Sequence, residues 1–490
     1  MAEDTIIGID VGTTTVKALL ATTDGRQLDR FSGSYPTARA GNGVVEQDPE
    51  AWLYRVLGAL AYFERNFDLG GLKGIGICSQ VNTHVFVDGS GRALAPAIVW
   101  QDGRCASVAA ELDAQVDNAR RIEWWGAPLP IDASHGLSRM AWMRRHHPDL
   151  WEMTRWVMAP KDYCILRLTG EAVADPIASV GLVGHELGYL SPLLDLVPGA
   201  ASRLAPLHGF THVAGGIVGG LPCAGTPVMV GAMDAWGGMF GVGVHRPDAA
   251  MYLSGTSEIM GIVSPSRVPT PGVIAFPTYD GITLHAAPTQ SGGASIAWLG
   301  GLFGKNPEEL SALAATLEPN ERVPLFLPHL QGERAPIWDA HARGLFVGLD
   351  AGMGPAHVAR AVMEGVGYSA RWLLESLERS ADCRVEPIHC GGGGFQSEVW
   401  NQIRADILGR TLRRVATSDV AALGAAAIAA VGSGVFPTLG EAIATIIDFD
   451  REYHPNPNSA ARHEFGFDLY KETYEATREL SRKLVEFHGG

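Results

Sequence analysis

The 490-residue sequence has no cysteine pair at CxxC spacing, and no histidine cluster accompanies its six cysteines. Cys78, Cys105, Cys164, Cys223, Cys383 and Cys390 therefore read as reduced thiols of a cytoplasmic protein, without a zinc knuckle or a disulfide framework. The chain also lacks basic excess. Its 38 Lys and Arg face 53 Asp and Glu, for a formal net charge of -15, which disfavours nucleic acid and anionic membrane as partners. An anionic nucleotide is not excluded, because backbone N–H groups and a metal can make a local phosphate pocket in an acidic protein. No GxxxxGK[ST] run is present, so a P-loop is ruled out. Glu3 and Asp4 precede the first apolar stretch, which is not the pattern of a signal peptide. The longest weakly polar run, Val420 to Phe436, is built mainly from Ala and Gly, and reads as a close-packed internal helix rather than a membrane span. Disorder is equally unsupported, with 46% apolar and 19% charged residues.

What is present is an alternation of strand and helix patterns over a length suited to roughly two to four domains. Thr5–Asp10 and Val16–Thr22 read as strands around a Gly-Thr turn, with a third around Phe31–Tyr35. Helical segments follow at Pro49–Asn66, Cys105–Ile122 and Leu137–His146, and strand-like pieces at Gly74–Cys78 and Val85–Val87. The alternation predicts an α/β fold. The same opening recurs later: Ala250–Leu253, a turn Ser254-Gly255-Thr256-Ser257, then Ile259–Val263. This suggests an internal duplication with a boundary near His245–Ala250. Two later helices are predicted at Pro355–Arg379 and Ser397–Leu408, the second with Ser397 as N-cap and Gly409 as its stop.

Five short segments carry chemistry. In Asp10-Val11-Gly12-Thr13-Thr14-Thr15, Gly12 permits a tight turn, while hydroxyls and backbone N–H groups can surround phosphate oxygens. Asp10 ends the strand, where a carboxylate can hold Mg²⁺ through water. Gly255-Thr256-Ser257 is a second turn of this type. Gly391–Gly394 lets a flat ligand approach the backbone and opens into a helix N-terminus that favours negative charge. Asp234 follows the apolar stretch Val228–Val230 and precedes a small-residue helix start. It reads either as that helix's N-cap or as a general base for an attacking hydroxyl, and phosphoryl transfer asks for little else beyond positioning and charge stabilisation. Trp100-Gln101-Asp102-Gly103-Arg104 combines a stacking face, acceptors and a cation, suited to a polyhydroxylated ligand.

These pieces together resemble the FGGY family of carbohydrate kinases, and within it the xylulokinases. The resemblance runs in one order through Gly8–Thr14, Trp100–Cys105, Pro160–Tyr163 with Leu168–Glu171, and Asp234 with Gly241–Gly243. It continues through Ser254–Ser257, Phe326–Pro328 with Gly332–Pro336, Gly344–Phe346, Arg360–Gly365, Gly392–Gly394 and Ala422–Ala426.

The resemblance implies two ribonuclease-H-like (actin/hexokinase-type) domains around a central cleft. Residues 1–245 would hold the sugar and the catalytic carboxylate, and 246–490 would bind ATP, with a hinge near Gly241–Arg246. It implies Asp234 as base, and Asp10 and Asp234 as metal-side carboxylates for Mg²⁺. Asp10, Thr13, Thr14, Thr256, Gly293, Gly393, Gly394 and Ser397 would line the nucleotide site. Val81, Asn82, Asp102 and Asp234 would face the sugar or polyol. It leaves room for a homodimer.

One departure bears on the substrate. Xylulokinases usually carry Gln-Met-His-Gly after the early strand, and this chain reads Gln80-Val81-Asn82-Thr83-His84. The Arg-Glu pair of glycerol kinases is absent there too. An amide at Asn82 can both donate to and accept from a sugar hydroxyl. The expected substrate is a ketopentose such as xylulose, with erythritol, ribulose or arabitol types as alternatives. An actin-like ATPase is the competing class, but it has no need of Asp234 or the Trp100–Arg104 loop.

Overall fold

The computed structural model describes residues 2–41 and 43–487. Packing divides the chain into two units. The first comprises Met1–His245, Pro277–Gly281 and Asp419–Asp448; the second comprises Arg246–Phe276, Ile282–Ser418 and Phe449–Gly490. The sequence reading treats 1–245 and 246–490 as uninterrupted stretches. The structure instead assigns the Ala-Gly-rich segment after Asp419 to the first unit.

The first unit is built on a six-stranded sheet. Its opening strands Thr5–Val11, Thr15–Thr22 and Gln27–Ser34 form an antiparallel meander. Leu72–Ser79 then joins parallel to the first strand, placing Cys78 beside Asp10. Pro227–Met229 adds parallel to Leu72–Ser79, and Val213–Gly216 closes the edge antiparallel. One face of the sheet packs on the helix Pro49–Asn66, capped by the Asp48 side chain and presenting Trp52, Val56, Leu60 and Phe63 to the core.

The helix Val420–Gly432 packs against this sheet. Its approach is close enough to require glycine in the strands. A Cβ on Gly8 would lie 1.8 Å from the Ala422 carbonyl oxygen, and one on Gly76 1.9 Å from that of Ala425. The small-residue run is therefore an internal helix, and its partners explain its composition. Among the described residues no helix is long and apolar enough to cross a membrane.

The second unit repeats the plan. Ala249–Ser254, Glu258–Val263 and Leu284–Pro288 form an antiparallel meander. Ile388–Gly391 joins parallel to Ala249–Ser254, Leu412–Val415 joins parallel to Ile388–Gly391, and Phe449–Tyr453 closes the edge antiparallel. Both sheets thus share a three-stranded meander, two parallel strands beside it and an antiparallel edge strand, and the second sheet adds Ile274–Ala275 antiparallel to Leu284–Pro288 at its other edge. The long helix Pro355–Ala381 supplies Ala370, Leu373, Leu374 and Leu377 to the core beneath this sheet.

One predicted helix is two. Cys105–Ile122 divides into Ala106–Asp113 and Asn118–Trp125. Asp117 accepts a hydrogen bond from the Arg120 amide and so starts a new helix instead of continuing the old one.

Candidate active site

In the first unit the Gly-Thr turn links two antiparallel strands. It is closed by the Gly12 amide donating to the Thr15 carbonyl at 3.1 Å, and the Tyr35 hydroxyl holds the Gly12 carbonyl. The Gln47 amide reaches the Thr13 carbonyl at 2.6 Å, and Gln80 in turn donates to Gln47 at 2.9 Å. The indole of Trp100 donates to the Thr13 hydroxyl at 3.1 Å. A buried amide network therefore fixes this turn from below, and the aromatic loop ties it from the side. Thr14 stands exposed at its tip.

Asp10 is the penultimate residue of the first strand, directly opposite Lys17. The Lys17 ammonium lies 3.2 Å from Asp419, and Arg30 approaches the same carboxylate at 3.7 Å. Asp10 Oδ1 is enclosed and has no hydrogen-bond partner among the described residues. Burial, then the charge of Asp234, pushes the Asp10 carboxyl up to about 7; Lys17 opposes the rise and Asp419 adds to it.

Asp234 is the first residue of the helix Asp234–Gly241, whose N-cap is Met233, and it makes no capping bond. Its Oδ1 accepts from the adjacent Ala235 amide, at 2.8 Å. Burial raises its carboxyl to about 6. The cap reading of Asp234 thus fails on geometry, and a half-buried carboxylate with spare acceptor capacity is left. Its helix is set by a close backbone crossing with Val420–Gly432. A Cβ on Gly241 would come 1.7 Å from the Val420 carbonyl oxygen.

Two carboxylates, the charge of Asp234 acting on Asp10 and Asp10 with an orphaned oxygen, make a hard-oxygen donor set that fits a divalent cation. No cluster of three or more His, Cys, Asp or Glu side chains suited to a metal occurs among the described residues. One or two carboxylates, completed by water and phosphate oxygens, are the set that Mg²⁺ takes.

Beside the strand end Leu72–Ser79, Asn82 adopts φ 55°, and its amide donates to the Ser134 hydroxyl at 3.4 Å. Val81 is half-buried next to it. The strand ends themselves are pinned by Lys161. Its amide donates to Ser79 Oγ at 3.2 Å, and its ammonium to the Val230 carbonyl at 3.1 Å. Asp162 and Asp175 flank the ammonium at 2.5 and 2.7 Å. Burial pushes the Asp162 carboxyl up to about 6, against the pull of Lys161. The sequence singled out Lys161 and Asp162 only as part of a family pattern, and Ser134 and Asp175 not at all. Ser134 carries no local signal, because it meets Asn82 across 52 residues.

Asp102 is placed differently from expectation. Its carboxylate is fully enclosed. It accepts from the Val45 amide at 2.6 Å, from the Arg104 amide at 2.9 Å, and from the Arg104 guanidinium through both oxygens. Arg139, also fully enclosed, lies 3.8 Å away. With its acceptor capacity used inside the protein, Asp102 braces the Trp100–Arg104 loop.

In the second unit, three of the expected nucleotide segments meet. The turn Ser254–Ser257 is closed by the Gly255 amide donating to the Ser257 carbonyl, at 2.9 Å. The Gly293 amide donates to the Gly255 carbonyl at 3.0 Å, and Ala294 to Thr256 at 2.9 Å, which docks the start of the helix Gly293–Phe303 on that turn. Thr256 remains exposed.

The glycine run begins in the strand Ile388–Gly391 and then turns at Gly392, whose φ of 100° suits glycine. The glycines differ in purpose. A Cβ on Gly394 would fall 2.0 Å from Ser254 Oγ, whereas one on Gly393 would meet nothing within 4 Å. Gly394 serves packing, and Gly393 presents bare backbone to open space. Ser397 caps the helix Glu398–Leu408 through the Trp400 amide and also meets the Ser311 hydroxyl at 2.5 Å.

The FGGY_N model, described as the FGGY family of carbohydrate kinases, N-terminal domain, matches residues 5–241. The family's C-terminal domain model matches residues 250–433. The xylulose kinase of Escherichia coli is 29% identical over 501 residues, covering 98% of this chain and 98% of that protein. Among solved structures, a gluconate kinase from Lactobacillus acidophilus superposes with a TM-score of 0.88 at 26% identity, covering 98% of this chain and 99% of that one. A ligand-bound xylulose kinase from the same organism has a TM-score of 0.87 at 26% identity, over 97% and 98% of the two chains.

Proposed function

This chain belongs to the FGGY family of carbohydrate kinases, and on that footing we propose that it transfers the γ-phosphoryl group of ATP to a hydroxyl of xylulose, with Asp234 as the base. The observation that carries the reading is the Asp10–Asp234 pair beside the Gly-Thr turn: each carboxylate is half-buried, and the charge of Asp234 acts on Asp10.

Asp234 has an accepting oxygen free for a substrate proton and is ionised above about pH 6. Asp10, with Asp234, would hold Mg²⁺ on the phosphate side. Mg²⁺·ATP supplies the phosphoryl group and neutralises charge as it moves. Thr13 and Thr14 line the phosphate turn, and Thr256, Gly293, Gly393, Gly394 and Ser397 form the nucleotide face of the second unit. Asn82, with Val81 beside it, reads the sugar.

Xylulose is supported by the names of several relatives, including the Escherichia coli enzyme. Asn82 supports a second reading, in which another ketose or polyol is preferred. Its amide is already oriented by Ser134. A panel of pentuloses, pentitols, tetritols, glycerol and gluconate, read by coupled ADP release, separates the two. The highest kcat/KM on xylulose supports the first reading, and a higher value on any other member replaces it. The proposal extends to a cytoplasmic homodimer with no nucleic-acid or membrane partner. The net charge of -15 supports the last part, and light scattering reads the assembly.

A further inference from the structure

Buried charge stands directly behind the nucleotide face of the second unit. Glu258 and Arg404 are both fully enclosed, 2.5 Å apart and 146 residues apart in sequence. A buried pair of this kind gives little net stability, because desolvation offsets the attraction. Its geometry points to a different use.

The Arg404 guanidinium donates to the Gly394 carbonyl at 2.8 Å through one nitrogen. Through the other it donates to Ser254 Oγ at 3.0 Å and to Glu258. Ser254 Oγ also donates to Glu258 at 2.7 Å, and the Tyr252 hydroxyl donates to the second Glu258 oxygen. The guanidinium carbon lies over the Trp400 ring, 3.8 Å from its centroid. Arg404 therefore fastens the Gly392–Gly394 turn to the turn that begins at Ser254. A planar, always-charged fork can hold both turns at once, which a lysine cannot.

We infer that Arg404, oriented by Glu258, is a positioning residue that sets the open backbone of Gly393 against Thr256, and so determines nucleotide affinity. This rests on the reading of the glycine turn as the nucleotide side of a kinase. Arg404 itself touches no substrate. With the Gly394 carbonyl held from within, the Gly393 backbone is left facing outward. Without Arg404, the Gly394 carbonyl loses a buried charged donor and the turn is free to rotate.

The test separates affinity from folding. Arg404→Met alone leaves Glu258 buried without a counter-charge and is expected to lower Tm. The double variant Arg404→Met with Glu258→Gln removes both charges and keeps groups that bond to Tyr252 and Ser254, so its Tm is expected to return toward wild type.

If Arg404 positions the turn, the double variant still shows KM for ATP and Kd for ADP raised about tenfold, the size expected for losing a buried bond to a charged group. Its kcat and sugar KM stay within about twofold. Arg404→Lys, which keeps the charge but not the fork, falls between. A double variant with wild-type ADP affinity overturns the inference. Gly393→Val is run alongside, since that position has room for a side chain and the change should block ADP. If Gly393→Val binds ADP as wild type does, the nucleotide reading of the turn fails. If it loses ADP while the double variant does not, only the role of Arg404 fails.

Discussion

A Cβ on Gly424 would stand 1.9 Å from the carbonyl oxygen of Gly237. That contact joins the helix bearing Asp234 to the helix Val420–Gly432 backbone to backbone. Even Gly424→Ala must push the two apart, at a cost of about 1–3 kcal/mol for overpacking. The expected result is a lower Tm together with a lower kcat, since Asp234 moves with its helix. Thermal melts and steady-state kinetics on Gly424→Ala check this, and unchanged values for both would mean that the helix contact does not position the carboxylate.

Asp102→Asn removes the counter-charge of the fully enclosed Arg139 and one of the two carboxylates on Arg104, which keeps Glu46 at 2.8 Å. Breaking a buried pair from one side costs about 3–5 kcal/mol. Denaturant unfolding should show that loss, while the folded fraction keeps its sugar KM within about twofold. A raised KM at unchanged stability would return Asp102 to the substrate site.

Asn82 combines a backbone demand with a chemical one. Its φ of 55° is tolerated by Asn and Gly but not by β-branched residues. Asn82→Val is expected to destabilise by about 1–3 kcal/mol. Asn82→Gly should keep the fold and raise sugar KM about tenfold, with KM for ATP unchanged. Isothermal titration with sugar and with ADP distinguishes these, and equal loss of both affinities would contradict the assignment.

His135 is buried and His84 half-buried, and both are held neutral. Burial, with the charges of Arg139 and His135, lowers His84 to about 3. Burial, partly opposed by Asp132, lowers His135 to about 4. Both folded values lie below the unfolded value of 6.5. Their contribution is therefore fully present above pH 6.5 and is lost as pH falls toward 4, because the unfolded chain binds protons that the folded one refuses. Each histidine adds a slope of up to about 1.4 kcal/mol per pH unit in that window. Urea melts at pH 7 and pH 5 should show it, and His84→Gln should flatten it. A variant with the same pH slope as wild type would show that His84 is not a source.

The duplicated plan was readable because strands announce themselves by alternation, and Gly12, Gly255 and Gly392 mark where the backbone must turn. The carboxylates Asp10 and Asp234 were findable for the same reason, as each ends or follows an apolar strand. Long-range packing was not readable. Nothing local says that Val420–Gly432 belongs with strands some 400 residues earlier, although Gly8 and Gly76, unusual in strand interiors, were its trace. The bracing bonds of Asp102 were hidden because a sequence shows an acceptor but not whether its lone pairs are taken. Arg404 and Glu258 were invisible because their meaning lies in a contact across 146 residues.

The most direct measurement is the turnover of Asp234→Asn with ATP and xylulose, alongside its affinity for ADP. The amide keeps the shape and the contact to Ala235 but cannot take a proton. The account predicts kcat lower by about 10²–10⁴-fold, with ADP binding within about threefold of wild type. An Asp234→Asn enzyme that turns over sugar at the wild-type rate would contradict it.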